Sequence, residues 1–281
     1  MNSEEVREIW SVLLSGPLAD GLTRIMVSHH HPDHLGMAAW LQETTGAPVY
    51  IRPDELATAR AMRLRNPMDE TLARDFFSRN GMTCQDIEQT VRDFMKSFLS
   101  CDIPQETRVV DHEQRIQIGR YEFDVLVGGG HSVSQLSLYA PSEGVLISGD
   151  QLLERITPNV GLWPFGDAAP LANYFKSLDD LTMREIRLVM PAHFEVYSPN
   201  GNRAEALRTH HQLKLSRFLD AIGRGGGTAF ELAVEVFGKP DDIANRLLAL
   251  IETLAHLQWL ENNGSIIRRD GLHISQYERN I

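Results

Sequence analysis

The sequence predicts an α/β fold with a smaller helix-and-ribbon unit at its C-terminal end. Three observations carry that expectation: a strand–helix–strand pattern over residues 24–52, a switch to period-two and short apolar runs over residues 108–150, and a Gly225-Gly226-Gly227 run followed by two helical patterns and a hairpin signal. The 281 residues exceed ordinary single-domain length, and the glycine run divides them into a larger domain over residues 1–222 and a smaller one over 228–281. Hydrophobic residues at 42% and charged residues at 23% suffice for a real core and exclude disordered, collagen-like and coiled-coil classes.

Taken in chain order, Val6, Ile9, Trp10, Leu13 and Leu14 recur at helical spacing, with Asn2 and Glu5 placed as a capping box and Gly16-Pro17 as the stop. Residues 24–28 and 48–52 are β-branched and apolar runs, and residues 35–42 between them carry a helical pattern, which makes a βαβ unit. Residues 54–105 lose strand character and show helical spacing broken at Pro67 and Gly81, a helical insertion. Strands follow at 115–118, 121–127, 135–139 and 144–147, mostly antiparallel and joined by tight turns such as Ser142-Glu143-Gly144. Residues 171–183 read as a helix, 187–191 as a buried strand, and 202–222 as a further helix. Beyond the glycines, helices at 228–237 and 241–262 precede strands at 266–269 and 272–275 around Asp270-Gly271, a two-residue hairpin signal. Helix, helix and ribbon together predict a winged-helix-like module.

No apolar run approaches the roughly 20 residues that cross a bilayer. Glu4, Glu5 and Glu8 near the start are the reverse of a basic secretory leader, so a cytoplasmic location is expected. Cys84 and Cys101 are too few for a disulfide scaffold and read as buried thiols. With 27 basic against 38 acidic residues the net charge is −11, and residues 228–281 carry five basic and eight acidic residues, so nucleic acid is an unfavoured partner even for a winged-helix shape. The tail is expected instead to pack on the larger domain or to dimerise. Arg60, Arg63 and Arg65 suit either a solvated helix face, the favoured reading, or a phosphate-bearing substrate. Trp163, Pro164 and Phe165 suit either core packing or the wall of an acyl pocket.

The chemistry concentrates in Ser28-His29-His30-His31-Pro32-Asp33-His34, between a predicted strand and a predicted helix. Alternate residues in such a turn project together, so His29 and His31 can bind one ion while Asp33 and His34 turn to a second. Imidazole and carboxylate suit zinc, with iron or manganese as alternatives. His131, Asp150 and His193 each follow a predicted strand. Singly each is as readily a turn or cap residue; together they complete a two-ion set of His29, His31 and His131, then Asp33, His34 and His193, with Asp150 bridging. His30, between ligands, is expected to point away. His112, His210, His211, His256 and His273 lack partners at ligand spacing and read as surface or helix residues.

The ordered pattern His-x-His-x-Asp-His, His, Asp, His resembles that of the metallo-β-lactamase superfamily, over residues 24–222. The resemblance implies an αβ/βα sandwich with a dinuclear site at one edge of two sheets. The insertion and tail resemble a subgroup containing an endoribonuclease and carrier-protein thioesterases, and hydroxyacylglutathione hydrolases share the ligand set. Family members carry further strands before the first motif, so the first sheet is expected to be incomplete and its edge open to pairing, including homodimerisation. A hydroxide bridging two metal ions is the expected nucleophile, with Asp33 orienting it and taking its proton. Without an evident additional acid, a thiolate leaving group is favoured. The expected function is thus cleavage of a small acyl thioester or ester; the rivals are a metal-dependent endoribonuclease and a non-catalytic metal-binding protein.

Overall fold

The computed structural model of the chain describes residues 2–63, 67–99, 101–199 and 201–280. Helix α1 (Glu4–Ser15) is capped one residue later than predicted, by Ser3, whose hydroxyl accepts the Val6 N–H. Asn2 is diverted: its side chain accepts from Arg7 Nε at 2.7 Å and donates to Asp102 at 3.3 Å. The short strand β1 (Ile25–Met26) leads to α2 (Pro32–Leu35) and α3 (Ala38–Thr45), so the single predicted helix over 35–42 is instead two, separated at Gly36-Met37. Pro32, pre-set for a first helical position, starts α2 inside the histidine motif and swings Asp33 and His34 away from the line of β1.

β2 (Val49–Tyr50) pairs parallel with β1, and β3 (Thr107–Arg108) parallel with β2. The predicted insertion between them is α4 (Pro53–Arg63), α5 (Pro67–Arg79) and α6 (Cys84–Leu99). Arg65 lies outside the described residues, and Arg63 is tied to its own chain, at the Cys101 carbonyl and Asp102. The second sheet runs in the order β4 (Arg115–Ile118), β5 (Tyr121–Gly128), β6 (Gln135–Ala140), β7 (Val145–Gly149) and β8 (Leu188–Pro191). Its pairs are antiparallel except β7–β8, where α7 (Pro170–Thr182) makes the crossover that a parallel pair requires.

Three apolar clusters place these elements in layers. Val27, Val49 and Ile51 of the first sheet pack with Leu35, Leu56 and Ala59 from the helices on its outer face. Ile116, Phe123, Val125, Leu136 and Leu138 of the second sheet meet Met26 and Tyr50 of the first. The opposite face of the second sheet, through Leu126, Tyr139, Leu146 and Val189, packs on α7, α8 (Arg203–Gly223), α9 (Ala229–Phe237) and α10 (Ile243–Asn262). Alternation along β5, with Val125 facing one cluster and Leu126 the other, is the period-two reason this sheet is covered on both faces. Helix, sheet, sheet, helix is the αβ/βα sandwich.

β9 (Ile266–Asp270) and β10 (Ser275–Arg279) form the predicted ribbon, but in a different register: Asp270 faces Ser275 across a four-residue loop instead of a two-residue turn. Tyr277 sets that register. Its buried ring joins the main core, and its backbone exchanges both hydrogen bonds with Gly227. Cys101 is buried as expected, whereas Cys84 is exposed at the start of α6, and among the described residues neither forms a disulfide. Among the described residues no helix is long and apolar enough to cross a membrane.

Candidate metal centre

All seven predicted ligands converge at the C-terminal ends of β1, β5, β7 and β8. His29 follows β1, Asp33 and His34 stand on α2, His131 follows β5, Asp150 follows β7 and His193 follows β8. Their ligand-type atoms fall into overlapping groups, each within 4.8 Å: His29, His31 and His131; His29, His34 and Asp150; Asp33, His34 and His193. Asp150 sits between. Its Oδ2 lies 3.3 Å from His131 Nε2 and 4.0 Å from His29 Nε2, while Oδ1 lies 3.4 Å from Nε2 of both His34 and His193. One oxygen thus faces each histidine group. The Asp33 and His193 side chains are 50% and 41% exposed against 8% for Asp150, so the cluster opens to solvent on their side.

Neighbouring groups fix the rings. Ser28 Oγ lies 3.1 Å from Nδ1 of both His29 and His34, and the Asn159 carbonyl accepts from His131 Nδ1 at 2.9 Å. With Nδ1 engaged, Nε2 is left to point inward, the arrangement that outer partners give metal-ligating histidines. Gly130, at φ 107°, brings the chain against α7, where a Cβ would lie 2.4 Å from that of Tyr174; no other residue delivers His131 at that closeness. Nε2 of His34 and of His131 and Oδ1 of Asp150 are buried without a hydrogen-bond partner. Buried polar atoms are otherwise nearly always paired, so atoms of this chemistry aimed at a common space fit divalent cations. Electrostatics agree: His34 is raised to about 9, since the attraction of Asp150 and Asp33 outweighs its burial. Asp150 is held well below the ordinary carboxylate range, as His131 and His34 overcome its burial. His29 and His31 are pushed down, first by burial and then by their histidine neighbours. The cluster favours positive charge beside its two carboxylates and keeps His29 and His31 neutral.

The model of the metallo-beta-lactamase superfamily matches residues 3–193. The chain belongs to this superfamily. A beta-lactamase domain protein from Burkholderia ambifaria is similar in structure, at 29% identity and a TM-score of 0.90, over 99% of this chain and 81% of that one. A metallo-beta-lactamase family protein from Thermus thermophilus gives 29% identity and a TM-score of 0.84, over 99% and 87%. An uncharacterized protein of Aquifex aeolicus is 26% identical over 183 residues, 64% of this chain and 72% of that protein. The metallo-beta-lactamase fold binds divalent metal ions, and members of the superfamily are generally metal-dependent hydrolases.

Three partners of this metallo-beta-lactamase site went unread in the sequence. Glu55, fully buried at the start of α4, accepts from His30 N at 2.9 Å, from Ser132 Oγ at 2.7 Å and from Ser134 N at 2.6 Å, and meets His30 Nδ1 at 2.5 Å. One carboxylate thereby ties the first ligand loop to the His131 loop, and His30 is the residue turned away to reach it. Burial alone would raise Glu55, but His30 and the Ser134 and Ser132 donors hold it below the usual glutamate range. Ser28 was visible in the motif without a role. Asn159, beyond Asp150 in an irregular segment, carried no signal. Trp163 packs against the main core and stacks on Phe165 at 6.4 Å. His211 and His256, read as unpartnered helix residues, are instead buried together, 3.1 Å apart across α8 and α10.

Proposed function

We propose that the chain is a dinuclear metal-dependent hydrolase that cleaves a thioester or ester of a small acyl group. One observation carries the reading: the two Asp150 oxygens divide between two histidine groups. His29, His31 and His131 would hold one ion, and Asp33, His34 and His193 the other, with Asp150 shared. Bound there, two divalent ions, zinc first with iron or manganese as alternatives, supply Lewis acidity and a water of lowered pKa.

The chain's own residues do the rest. His34 and His193 both meet Asp33 at Oδ2, at 3.4 and 3.3 Å, and this half-exposed carboxylate would orient the attacking water and take its proton. His34 holds Asp33 below its ordinary value, so it is ionised at neutral pH. Phe165, stacked on the core-packed Trp163, would serve as a wall for the acyl group. A thiolate leaves without an acid to protonate it, which suits a cluster of bases. A cytoplasmic location, and the homodimer that the edge of β1 permits, belong to the same reading.

The test is elemental analysis of chelator-stripped and reconstituted protein, beside a panel of acyl thioesters, lactones and single-stranded RNA. Close to two ions per chain are expected, and one or none removes the dinuclear mechanism. Asp150→Ala is expected to lower both occupancies, and His131→Ala mainly one.

A further inference from the structure

The segment after Asp150 is laid along α10, and it carries the group that orients His131. The Asn159 carbonyl accepts from His131 Nδ1 at 2.9 Å. The Asn159 side chain belongs to α10: its Nδ2 donates to the Leu248 carbonyl and to Glu252 Oε2, each at 3.2 Å. Three residues on, Leu162 N–H donates to the Ile251 carbonyl at 2.9 Å. A Cβ on Gly161 would lie 2.6 Å from Ile251 Cδ1 and 2.8 Å from its Cγ1, so a side chain here would press on that of Ile251. Glu252 is anchored from behind, since Lys214 of α8 donates to its Oε1 at 2.5 Å in a buried ion pair. An unbroken chain of contacts therefore runs from α8 and α10 to a ring of the metal centre: Lys214, Glu252, Asn159, His131.

We propose that α10 is a positioning element of the metal centre, in which Glu252, acting through Asn159, sets the His131 ring and with it the affinity of the ion shared with His29 and His31. The inference rests on the reading of those histidines as ligands. It makes the C-terminal segment a working part of the site. The geometry argues against the other use of this cluster. His211, Glu252 and His256 lie within ligand distance of one another, but the Lys214 ammonium already neutralises Glu252, and His256 is engaged at both ring nitrogens, by the Glu252 carbonyl at 2.7 Å and by His211 at 3.1 Å.

The experiment uses the full chain, stripped with a chelator and titrated with zinc against a chromophoric competitor, so that each ion's affinity is read separately. Asn159→Ala keeps the backbone carbonyl and removes its anchor. It is expected to weaken one ion by roughly 10–100-fold, as loss of an outer partner does, and to leave the other within about twofold. The His131 Nδ1–H resonance of the cobalt-loaded protein should exchange faster with water, a change that a merely structural role does not produce. The double variant Lys214→Met with Glu252→Leu removes the buried charges together and with them the oxygen that holds Asn159, and should repeat the one-ion loss; native affinity for both ions in it overturns the proposal. Gly161→Val, which wedges the segment off α10, should repeat the one-ion loss. Native affinity for both ions in Asn159→Ala overturns the proposal, as does equal weakening of both with a large fall in melting temperature. If Asn159→Ala fails to fold, native affinity in Gly161→Val overturns it alone. A third ion lost in His211→Ala would make the buried cluster a cation site, and overturn it too. A wild-type chain that binds fewer than two ions defeats the dinuclear reading itself, a separate result.

Discussion

At the scale of single residues, the two aspartates of the cluster have separable jobs, Asp33 at its open rim and Asp150 buried at its centre. Asp33 is the half-exposed carboxylate, bonded through one oxygen, whereas Asp150 spans both histidine groups. Asp33→Asn is therefore expected to lower kcat at least a hundredfold, the scale of lost general-base catalysis, while some zinc is retained; loss of zinc in proportion to rate would make Asp33 a ligand only. Phe194, next to His193, is held at φ 69° with half its surface exposed. A bulky residue in the left-handed region costs about 1–2 kcal/mol, and such strain collects at functional sites. Phe194→Gly should then stabilise the protein by about 0.5–1 kcal/mol in urea melts, net of glycine's extra freedom when unfolded, and raise KM for longer acyl chains more than for short ones. The residues that converge at the candidate centre were legible because each has its own local mark, either the tight motif from His29 to His34 or a position just past an apolar run. Glu55, Asn159 and the His211–His256 pair had none, since what makes them matter is a partner 25 to 93 residues away.

At the scale of elements, the sequence was most readable where one residue type repeats against one surface. The period-two runs of β5 to β7 and the helical stripes of α7 to α10 lie within a residue or two of the expected bounds. Misreadings fall where a tertiary contact chooses among local options: Asp102 draws Asn2 off the cap of α1, and the buried Tyr277 slides the ribbon past its Asp270-Gly271 signal. The packing of α8 on α10 has a pH consequence. Burial, followed by repulsion from His256, Lys214 and His210, lowers His211 to about 2; burial, with Lys214 and His210, lowers His256 to about 3 against the support of the Glu252 carbonyl. In the unfolded chain both titrate near 6.5. Above that pH neither state binds the protons and the contribution to stability is complete. Below it the unfolded chain takes up protons that the native chain refuses, so stability falls by up to about 1.4 kcal/mol per pH unit for each histidine until pH about 3. Urea midpoints between pH 7 and 5 should fall less steeply in His211→Gln than in the wild type, and equal slopes would locate the acid sensitivity elsewhere.

At the scale of the whole molecule, the three clusters that stack helices, sheets and helices bring four strand ends to one edge, and charge decides what that edge meets. The chain carries −11 overall, and three of the five basic residues in 228–281 are paired to carboxylates: Arg246 with Asp86, Arg268 with Asp270 and Arg269 with Glu278. Binding a phosphate backbone means neutralising several phosphates with Lys or Arg, and such affinity falls steeply with salt. Arginines paired to carboxylates offer little to that exchange. A small acyl substrate makes no such demand, and leaving-group chemistry then sorts the acyl donors: thiols near pKa 8.5 depart as anions far more readily than alkoxides. Thioesters should therefore be hydrolysed faster than oxygen esters of the same acyl group, at rates little changed between about 50 and 200 mM salt, with RNA cut weakly throughout that range. Metal-dependent cutting of single-stranded RNA by nuclease-free protein, abolished in His29→Ala and accompanied by inert thioesters, would reverse the choice and make the same cluster an endoribonuclease centre.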